Sequence, residues 1–148
     1  MVHEACAAYA RGIWMYVPEE WEGYFVSFKA WFDKYVVKVV AVEQEVCHDR
    51  WGYIGHADLI ALVAGLTPKH TIAIIDYKTP VTINRRWMVQ IAAYVEAAKK
   101  QYGVEIGGAL QLRKDGGLPK MTWVEDHNRA FAAFTGILSG WNYIKGGG

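Results

Sequence analysis

The most informative segment of the chain is Ile72-Ala73-Ile74-Ile75-Asp76-Tyr77-Lys78-Thr79-Pro80, which joins an apolar run to two charged side chains. A short run rich in β-branched residues and followed by proline is typical of a buried strand. Because side chains alternate along a strand, we expect Asp76 and Lys78 on the same face. The pattern therefore predicts a core strand that ends in a carboxylate and an ammonium group.

Further elements are predicted on both sides of this segment. Before it, the pattern indicates a helix over Val2–Met15, a second helix from Pro18 to Tyr35, and strands over Val37–Cys47 and Gly52–Val63. The core strand covers Thr71–Lys78; after it come a helix from the N-cap Asn84 to Gly103, strands over Val104–Leu112 and Leu118–Val124, and a helix over Asn128–Tyr143. The first three strands are expected to form an antiparallel meander. This order predicts an α/β (α+β) fold with a central mixed sheet and helices on its faces.

The second predicted helix carries large aromatic side chains at three- and four-residue steps. They are Trp21, Tyr24, Phe25, Phe28, Trp31, Phe32 and Tyr35. A stripe with this spacing faces the core in most amphipathic helices. We therefore interpret it as core packing.

The size and composition of the chain indicate one domain. Its 148 residues are 53% hydrophobic, which is enough for one sizeable core, and no linker divides them. We expect a single domain over residues 1–145 and a flexible glycine tail at residues 146–148. Sixteen basic and fifteen acidic residues give a net charge of +1, so a site for a polyanion has to be a local patch.

The sequence lacks the features of several other protein classes. Cys6 and Cys47 are too few for a disulfide scaffold or a four-cysteine metal cluster. No apolar run reaches the ~20 residues of a membrane span, and the N-terminus does not have the layout of a secretion signal. We expect an intracellular, cytoplasmic protein with no membrane partner. No P-loop motif is present, so a nucleotide cofactor is not expected, and formation of a homo-oligomer stays open.

A second acid precedes the core strand, in the neighbouring predicted strand. The segment Gly55-His56-Ala57-Asp58 allows antiparallel pairing to bring Asp58 beside Asp76, and Gly55 permits a bend or a close backbone approach. Two carboxylates inside an apolar sheet repel each other, so a cation between them is the natural way to keep both ionised. Such an oxygen-rich site suits Mg²⁺ or Mn²⁺.

Two carboxylates, a bound metal ion and a lysine are the groups that hydrolyse a phosphodiester. A hard metal ion polarises a phosphoryl oxygen and lowers the pKa of a bound water, while Lys78 orients that water and offsets developing charge. The alternative is an exposed Asp–Lys pair at a strand end. Such pairs are common and contribute little.

Five short motifs occur in series along the chain and together resemble one nuclease family. They are His3-Glu4-Ala5, Val42-Glu43-Gln44-Glu45-Val46, Gly55-His56-Ala57-Asp58, Ile74-Ile75-Asp76-Tyr77-Lys78-Thr79 and Gln90-Ile91-Ala92-Ala93-Tyr94. In this order they are similar to the RecB-like branch of the PD-(D/E)XK nucleases, especially small virus-encoded members and their exonuclease relatives. The resemblance implies a restriction-endonuclease-like core, a DNA substrate and action inside a host cell.

The resemblance also implies roles for individual residues. Asp58 and Asp76 would bind the metal, the Tyr77 carbonyl could supply another ligand, and Lys78 would be the catalytic lysine. His3 is similar to the additional histidine ligand of this branch. A histidine at a helix end without a partner is the alternative for His3, and it stays open.

Two acids in the first predicted strand flank this centre. Glu43 matches the acid that precedes the meander in the family, where it could contact a second metal or orient a water. Regular alternation would put Glu43 and Glu45 on one face and Val42, Gln44 and Val46 on the other, so a solvated face could explain both acids. We interpret Glu43 as functional and Glu45 as solvated.

The long helix after the core strand carries further candidates. Gln90 and Tyr94 are four residues apart and share a face, which in the family looks onto the catalytic strands. Gln90 could hold Lys78 or a substrate phosphate, and Tyr94, a candidate nucleic-acid-binding residue, could hydrogen-bond or pack beside it. Plain core packing is the alternative for Tyr94. Arg85 and Arg86 at the helix start would bind DNA if a docked phosphate relieved their conflict with the helix dipole. Extension of both arginines into water is the alternative.

The sequence therefore predicts a metal-dependent DNA exonuclease that leaves 5′-phosphate and 3′-hydroxyl ends, as the resemblance implies. A structure-specific or flap endonuclease is the nearest alternative. Two others are a catalytically silent nucleic-acid-binding module of the same fold and an assembly partner whose aromatic residues bind another protein. The intact set of Asp58, Asp76 and Lys78 argues against the silent module. His56, although it lies within a motif, is not expected to bind the metal.

Overall fold

The structure is a computed structural model that describes residues 1–66 and 69–146. The described part of the chain forms α1 (Val2–Ala10), α2 (Glu19–Tyr35), β1 (Val36–His48), β2 (Tyr53–Val63), β3 (Thr71–Lys78), α3 (Arg86–Tyr102), β4 (Ile106–Gln111), β5 (Lys120–Trp123) and α4 (His127–Lys145). The predicted turn residues Thr67 and Pro68 and the predicted tail residues Gly147 and Gly148 lie outside the described residues. The predicted order of helices and strands is confirmed.

The bounds of the elements differ from the predicted ones mainly at their ends. The first helix ends at Ala10, not at Met15, because Gly12 has a left-handed conformation with φ of 75° that interrupts helical geometry. The core strand has the bounds that its sequence pattern predicts. The N-cap of α3 is Arg85, one residue after the predicted Asn84, although the Asn84 side-chain oxygen accepts a hydrogen bond from the Arg86 N–H at 2.9 Å.

The five strands form one mixed sheet with the spatial order β1-β2-β3-β4-β5. β1 pairs with β2, and β2 with β3, in antiparallel orientation, whereas β3 and β4 are parallel. A parallel pair needs a crossover connection, and α3 supplies it. β5 returns antiparallel beside β4. The prediction of a central mixed sheet combined with helices is therefore confirmed.

Helices cover both faces of this sheet. On one face, buried residues of α1 and α2 pack against the central strands, as Phe28 does in the cluster that contains Ile75. On the other face, α3 packs against the same strands, as Ile91 does in the cluster that contains Ile74. Full burial of a side chain of this size stabilises the fold by about 1.5–3 kcal/mol. Because β3 is buried on both sides, the core fixes the backbone from which Asp76 and Lys78 project.

The aromatic stripe of α2 lies in the core, as the spacing predicts. Phe28 and Trp31 are buried. Other members of the stripe are partly buried against the same cluster, namely Trp21, Tyr24, Phe32 and Tyr35. The stripe is thus occupied in holding α2 on the sheet.

The predicted alternation along β1 is wrong. Val42 packs on the face covered by α1 and α2, whereas Val46 packs on the face covered by α3. Regular alternation would put residues four apart on the same face. Glu43 has a positive φ of 47°, and this left-handed residue changes the phase of the strand. Glu43 and Glu45 therefore do not belong to one regularly alternating face.

α4 is the longest helix, with 19 residues, and none of them is fully buried. It docks through half-buried aromatic contacts: Phe131 stacks with His48 at a ring-centroid distance of 6.0 Å, and Phe134 meets Tyr53 edge-on at 4.7 Å. Neither α4 nor any other helix within the described ranges combines the length and hydropathy that a membrane span requires.

A charged contact between α3 and α4 makes the docking of α4 dependent on pH. His127 Nε2 lies 2.6 Å from Glu96 Oε1. Burial alone would raise the pKa of Glu96, but the hydrogen bond with His127 and the charge of Lys99 outweigh burial and lower the pKa below its usual 4.5. A carboxyl with a lowered pKa stabilises the fold above its unfolded pKa, and this stability is lost as pH falls through the folded pKa.

We predict that Glu96→Gln lowers the free energy of unfolding at neutral pH by about 1 kcal/mol, because the charge-assisted hydrogen bond is weakened. The difference from wild type should shrink as pH falls below 4.5. Urea unfolding followed by circular dichroism at several pH values measures both effects. Glu105→Gln is the matched control at an exposed position, and a constant difference at every pH would contradict the prediction.

Candidate active site

Asp58 and Asp76 face each other across two neighbouring strands. The β2–β3 pairing ends at Leu59 and Ile75, so Asp58 and Asp76 are the next residue of each strand. The charge of Asp76 and a side-chain hydrogen bond with it both act on the Asp58 carboxyl, so the two groups are in close contact. The two acids therefore meet where the pairing of β2 with β3 ends, between the buried residues Ala57 and Tyr77.

The surroundings of Asp58 strongly affect its ionisation. Burial raises the pKa of Asp58 to about 6, and the negative charge of Asp76 contributes to the increase. The Tyr77 N–H, which donates to Asp58 Oδ2 at 2.8 Å, and the nearby His3 act in the opposite direction. The Asp58 side chain is 22% exposed and that of Asp76 only 11%, so water screens their repulsion weakly.

Lys78 reaches back to Asp76 from two residues further along β3. Its Nζ lies 2.8 Å from Asp76 Oδ2, which makes a close ion pair. The approach does not have the geometry of a hydrogen bond, and this buried oxygen has no hydrogen-bond partner among the described residues. The ammonium also lies 5.4 Å from the ring centre of Trp87 in α3. Lys78 is thus held between an acid and an aromatic ring, while Asp76 Oδ2 can still accept another ligand.

His3 approaches the two strands from α1. Val2 and Cys6 are buried, which fixes the start of this helix against the sheet. His3 Nε2 lies 3.0 Å from the Tyr77 carbonyl oxygen and 3.7 Å from Asp58 Oδ2. The alternative of a helix-end histidine without a partner is therefore wrong.

The oxygen atoms at this point fit a hard divalent cation. Asp58 and Asp76 offer two carboxylates. The Tyr77 carbonyl oxygen and Asp58 Oδ2 lie close to the same atom, His3 Nε2, at 3.0 and 3.7 Å. Across residues 1–66 and 69–146, no group of three or more His, Cys, Asp or Glu side chains is arranged to hold a metal ion. Mg²⁺ is commonly held by one or two carboxylates and completes its shell with water and substrate oxygens. Asp76 Oδ2 is buried without a hydrogen bond and has the Lys78 ammonium at 2.8 Å, so a bound cation would share this oxygen with Lys78.

Glu43 lies opposite Asp58 in the β1–β2 pair, because the residues on either side of the two acids are paired. Its φ of 47° is uncommon outside glycine. Backbone strain of this kind concentrates at functional sites. The Arg11 guanidinium lies 3.8 Å from Glu43 Oε2, and 48% of the Glu43 side chain is exposed. Glu43 is therefore near the acid pair but is engaged by a cation of the protein itself.

Gln90 and Tyr94 form a hydrogen-bonded pair on α3. Gln90 Nε2 donates to the Tyr94 hydroxyl at 2.8 Å. The ring of Tyr94 presses on Gly55, where a Cβ atom would collide with it. The close approach expected at Gly55 is confirmed, and its cause is the ring of Tyr94.

The remaining candidates lie at the surface. Arg85 and Arg86 are exposed at the start of α3, directly before Trp87, whose ring faces the Lys78 ammonium. Glu45 and His56 lie 3.7 Å apart, and both side chains are more than half exposed. This contact supports the interpretation of Glu45 as a solvated residue.

Two residues of this region do not follow from the sequence motifs. Arg11 stands beyond the end of α1, and only the fold brings it to Glu43. Gln111 ends β4 and pairs with Lys78 in the β3–β4 register. A polar residue between Leu110 and Leu112 in an apolar strand is the signal that could have identified it.

Comparison with known proteins gives no match: no family model matches the chain, and no curated protein does. Function is therefore inferred from the geometry of the acid pair and from the resemblance of the five motifs.

We predict that Asp58→Asn stabilises the metal-free protein at neutral pH by about 1–3 kcal/mol, because it removes a charge that is costly to bury and that also faces the charge of Asp76. The amide oxygen can still accept the hydrogen bond from the Tyr77 N–H. Between pH 3.8 and about 6 the wild-type folded state keeps a proton that the unfolded chain has lost, so its stability falls as pH rises through this window. The variant should lack this decrease.

Urea unfolding in the presence of a chelator measures these differences. Asp49→Asn, at an exposed position, is the control for the loss of one negative charge. A less stable Asp58→Asn protein with an unchanged pH profile would show that the two carboxylates do not repel each other in the folded state.

Proposed function

We propose that this protein is a metal-dependent DNA nuclease of the RecB-like branch of the PD-(D/E)XK superfamily. The observation that carries the proposal is the close approach of Asp58 and Asp76 between two buried strands, with Lys78 Nζ at 2.8 Å from Asp76 Oδ2. The five-stranded mixed sheet with its α3 crossover supports the restriction-endonuclease-like core that the motifs imply.

The burial of Asp58, Asp76 and Lys78 argues against an ordinary surface ion pair. Asp76 is 8% exposed, and the side chain of Asp58, whose charge it faces, is also largely buried. Desolvated like charges are costly to keep in a folded protein. Their retention is explained if both carboxylates bind a cation during function.

The residues of the site have complementary roles in hydrolysis. Lys78 orients a water for attack on phosphorus and offsets the negative charge that develops on the phosphate. The ring of Trp87 restricts where this ammonium can lie. His3 holds the Tyr77 carbonyl and the Asp58 carboxylate in place from α1, where it can also serve as a ligand.

Mg²⁺ or Mn²⁺, bound by Asp58, Asp76 and the Tyr77 carbonyl, would supply Lewis-acid polarisation of the phosphate and lower the pKa of the attacking water. In the reaction the oxygen of water forms a bond to phosphorus and the bond from phosphorus to the 3′ oxygen breaks. The products are a 5′-phosphate and a 3′-hydroxyl.

The start of α3 offers the contacts for the DNA backbone. Arg85 and Arg86 are exposed there without an acid in the first turn of the helix. Phosphates bind readily to helix N-termini and to arginine side chains. The Gln90 amide, held by the Tyr94 hydroxyl, lies one turn further along and can contact the phosphate that is cut.

We predict that Asp76→Asn and Lys78→Ala each reduce Mn²⁺- or Mg²⁺-dependent cleavage of DNA by at least about 10²-fold, as expected when a charged group of a preorganised site is lost. Release of nucleotides from end-labelled linear DNA measures the rate, and circular dichroism shows whether each variant is folded. Lys100→Ala, at an exposed position of α3, is the matched control and should retain activity. Full activity in either site variant would overturn the nuclease proposal.

Exonuclease action is proposed because the motifs are most similar to that group. A covalently closed circular DNA should then resist digestion under conditions in which the linearised molecule is degraded. Equal cleavage of both would retain the nuclease and replace the exonuclease by the alternative endonuclease.

A further inference from the structure

A cavity lies next to the proposed active site, at the carboxyl ends of β3 and β4. It has a volume of about 450 Å³ and is lined by the Thr79–Val81 segment, Gln111, Arg113, Lys114 and Lys120, among others. Small-molecule sites typically occupy about 300–1,000 Å³. The cavity is therefore large enough for one nucleotide unit.

One residue that lines this cavity, Gln111, has a buried side-chain acceptor without a hydrogen-bond partner among the described residues. The residue is 6% exposed. Its Nε2 donates to the carbonyl oxygens of Pro80 at 3.1 Å and Val81 at 3.0 Å, which fixes the orientation of the amide. Its Oε1 is buried and has no hydrogen-bond partner among the described residues. A buried acceptor in this state favours a ligand that brings a donor.

Two lysines at the same cavity are free to bind an anion. Lys114 and Lys120 are exposed, and neither ammonium has an ion pair or hydrogen bond within the described part of the chain. Arg113 differs, because its guanidinium already forms a bidentate pair with Asp115 at 2.6 and 3.1 Å. The cationic contribution to the cavity therefore comes from the two lysines.

The wall that carries Lys114 is held rigidly against α2. The Arg113 N–H donates to Ser27 Oγ at 3.0 Å, and Ser27 is fully buried. Gly23 lets the backbone oxygen of Lys114 approach so closely that a Cβ atom would collide with it. The segment that contains Arg113 and Lys114 is thus held in position before any ligand binds, which reduces the entropic cost of binding.

Strand register places this cavity directly beside the catalytic lysine. Lys78 pairs with Gln111 across β3 and β4, and Gln111 pairs with Lys120 across β4 and β5. Neighbouring strands lie about 4.8 Å apart, so these three residues form one short row across the sheet. A ligand at Gln111 is therefore next to the phosphate that Lys78 would serve.

We infer that this cavity is a nucleotide subsite, which binds the deoxynucleotide unit next to the phosphate that is cut. Lys114 and Lys120 bind phosphate oxygens, and Gln111 Oε1 accepts a hydrogen bond from an amino group of the base or from a sugar hydroxyl. Tyr24, which also lines the cavity, offers aromatic surface for the base. The inference rests on the proposed nuclease function and names the part of the substrate that its site would hold.

Binding of deoxycytidine monophosphate in the presence of a chelator tests this subsite without any turnover. We expect saturable binding that shifts the side-chain amide signal of Gln111 in ¹H–¹⁵N NMR spectra. Lys114→Ala/Lys120→Ala should weaken binding by at least about tenfold, because two charge-assisted contacts are lost. Lys38→Ala/Lys100→Ala removes the same charge at exposed positions elsewhere and should bind as wild type does.

One smaller probe, deoxyribose 5-phosphate, identifies the donor group. If deoxyribose 5-phosphate binds and shifts the Gln111 signal, a sugar hydroxyl is the donor; if only the full nucleotide does so, the base is. Either result supports the subsite. It is overturned if the nucleotide does not bind, if inorganic phosphate binds equally well without moving the Gln111 signal, or if both lysine double variants bind alike.

These outcomes are separate from those of the nuclease test. Cleavage that depends on Asp76 and Lys78, together with absent nucleotide binding, would remove the subsite alone. Nucleotide binding at Gln111 in a protein that never cuts DNA would remove the nuclease proposal and leave a nucleotide-binding site without a catalytic role.

Discussion

The antiparallel pairing of β2 with β3 forces two like charges into one poorly solvated place. Asp58 and Asp76 have no freedom to separate, because the residues that precede Asp76 and follow Asp58 are locked into the two apolar clusters of the sheet. The repulsion appears as the raised pKa of Asp58, whose first cause is burial and whose second is the charge of its neighbour. The hydrophobic core thus stabilises an arrangement that its electrostatics oppose.

Other features of the molecule accommodate this arrangement. Lys78 partly offsets the charge of Asp76, and the Tyr77 N–H and His3 act on Asp58. The left-handed backbone at Glu43 bends β1 opposite the acid pair. A protein selected for stability alone would replace such a group by apolar residues. The concentration of buried charge and backbone strain at one place in the sheet is what functional sites typically show.

Three buried polar atoms without a hydrogen-bond partner lie on neighbouring strands, from Asp76 on β3 to β5 at the edge of the sheet. Asp76 Oδ2, Gln111 Oε1 and Thr122 Oγ1 are all buried without a hydrogen-bond partner in the described residues. Ala109 pairs with Asp76 on one side and with Thr122 on the other, so these atoms belong to neighbouring rows of the same sheet. Buried polar groups normally find partners. A polar path from the proposed catalytic centre across β4 is therefore the simplest account of the three.

The elements could be predicted from the sequence because hydrophobic periodicity, glycine and capping residues act over a few neighbouring positions. The bounds of β3, the core-facing stripe of α2 and the end of α3 at Gly103 are of this kind. The sequence predicts that Asp58 and Asp76 lie close together only if neighbouring strands are assumed to pair. His3 reaches Tyr77 across 74 positions of the chain, and Arg113 reaches Ser27 across 86. Such contacts, like the change of phase at Glu43, depend on how whole elements pack, and no local pattern encodes them.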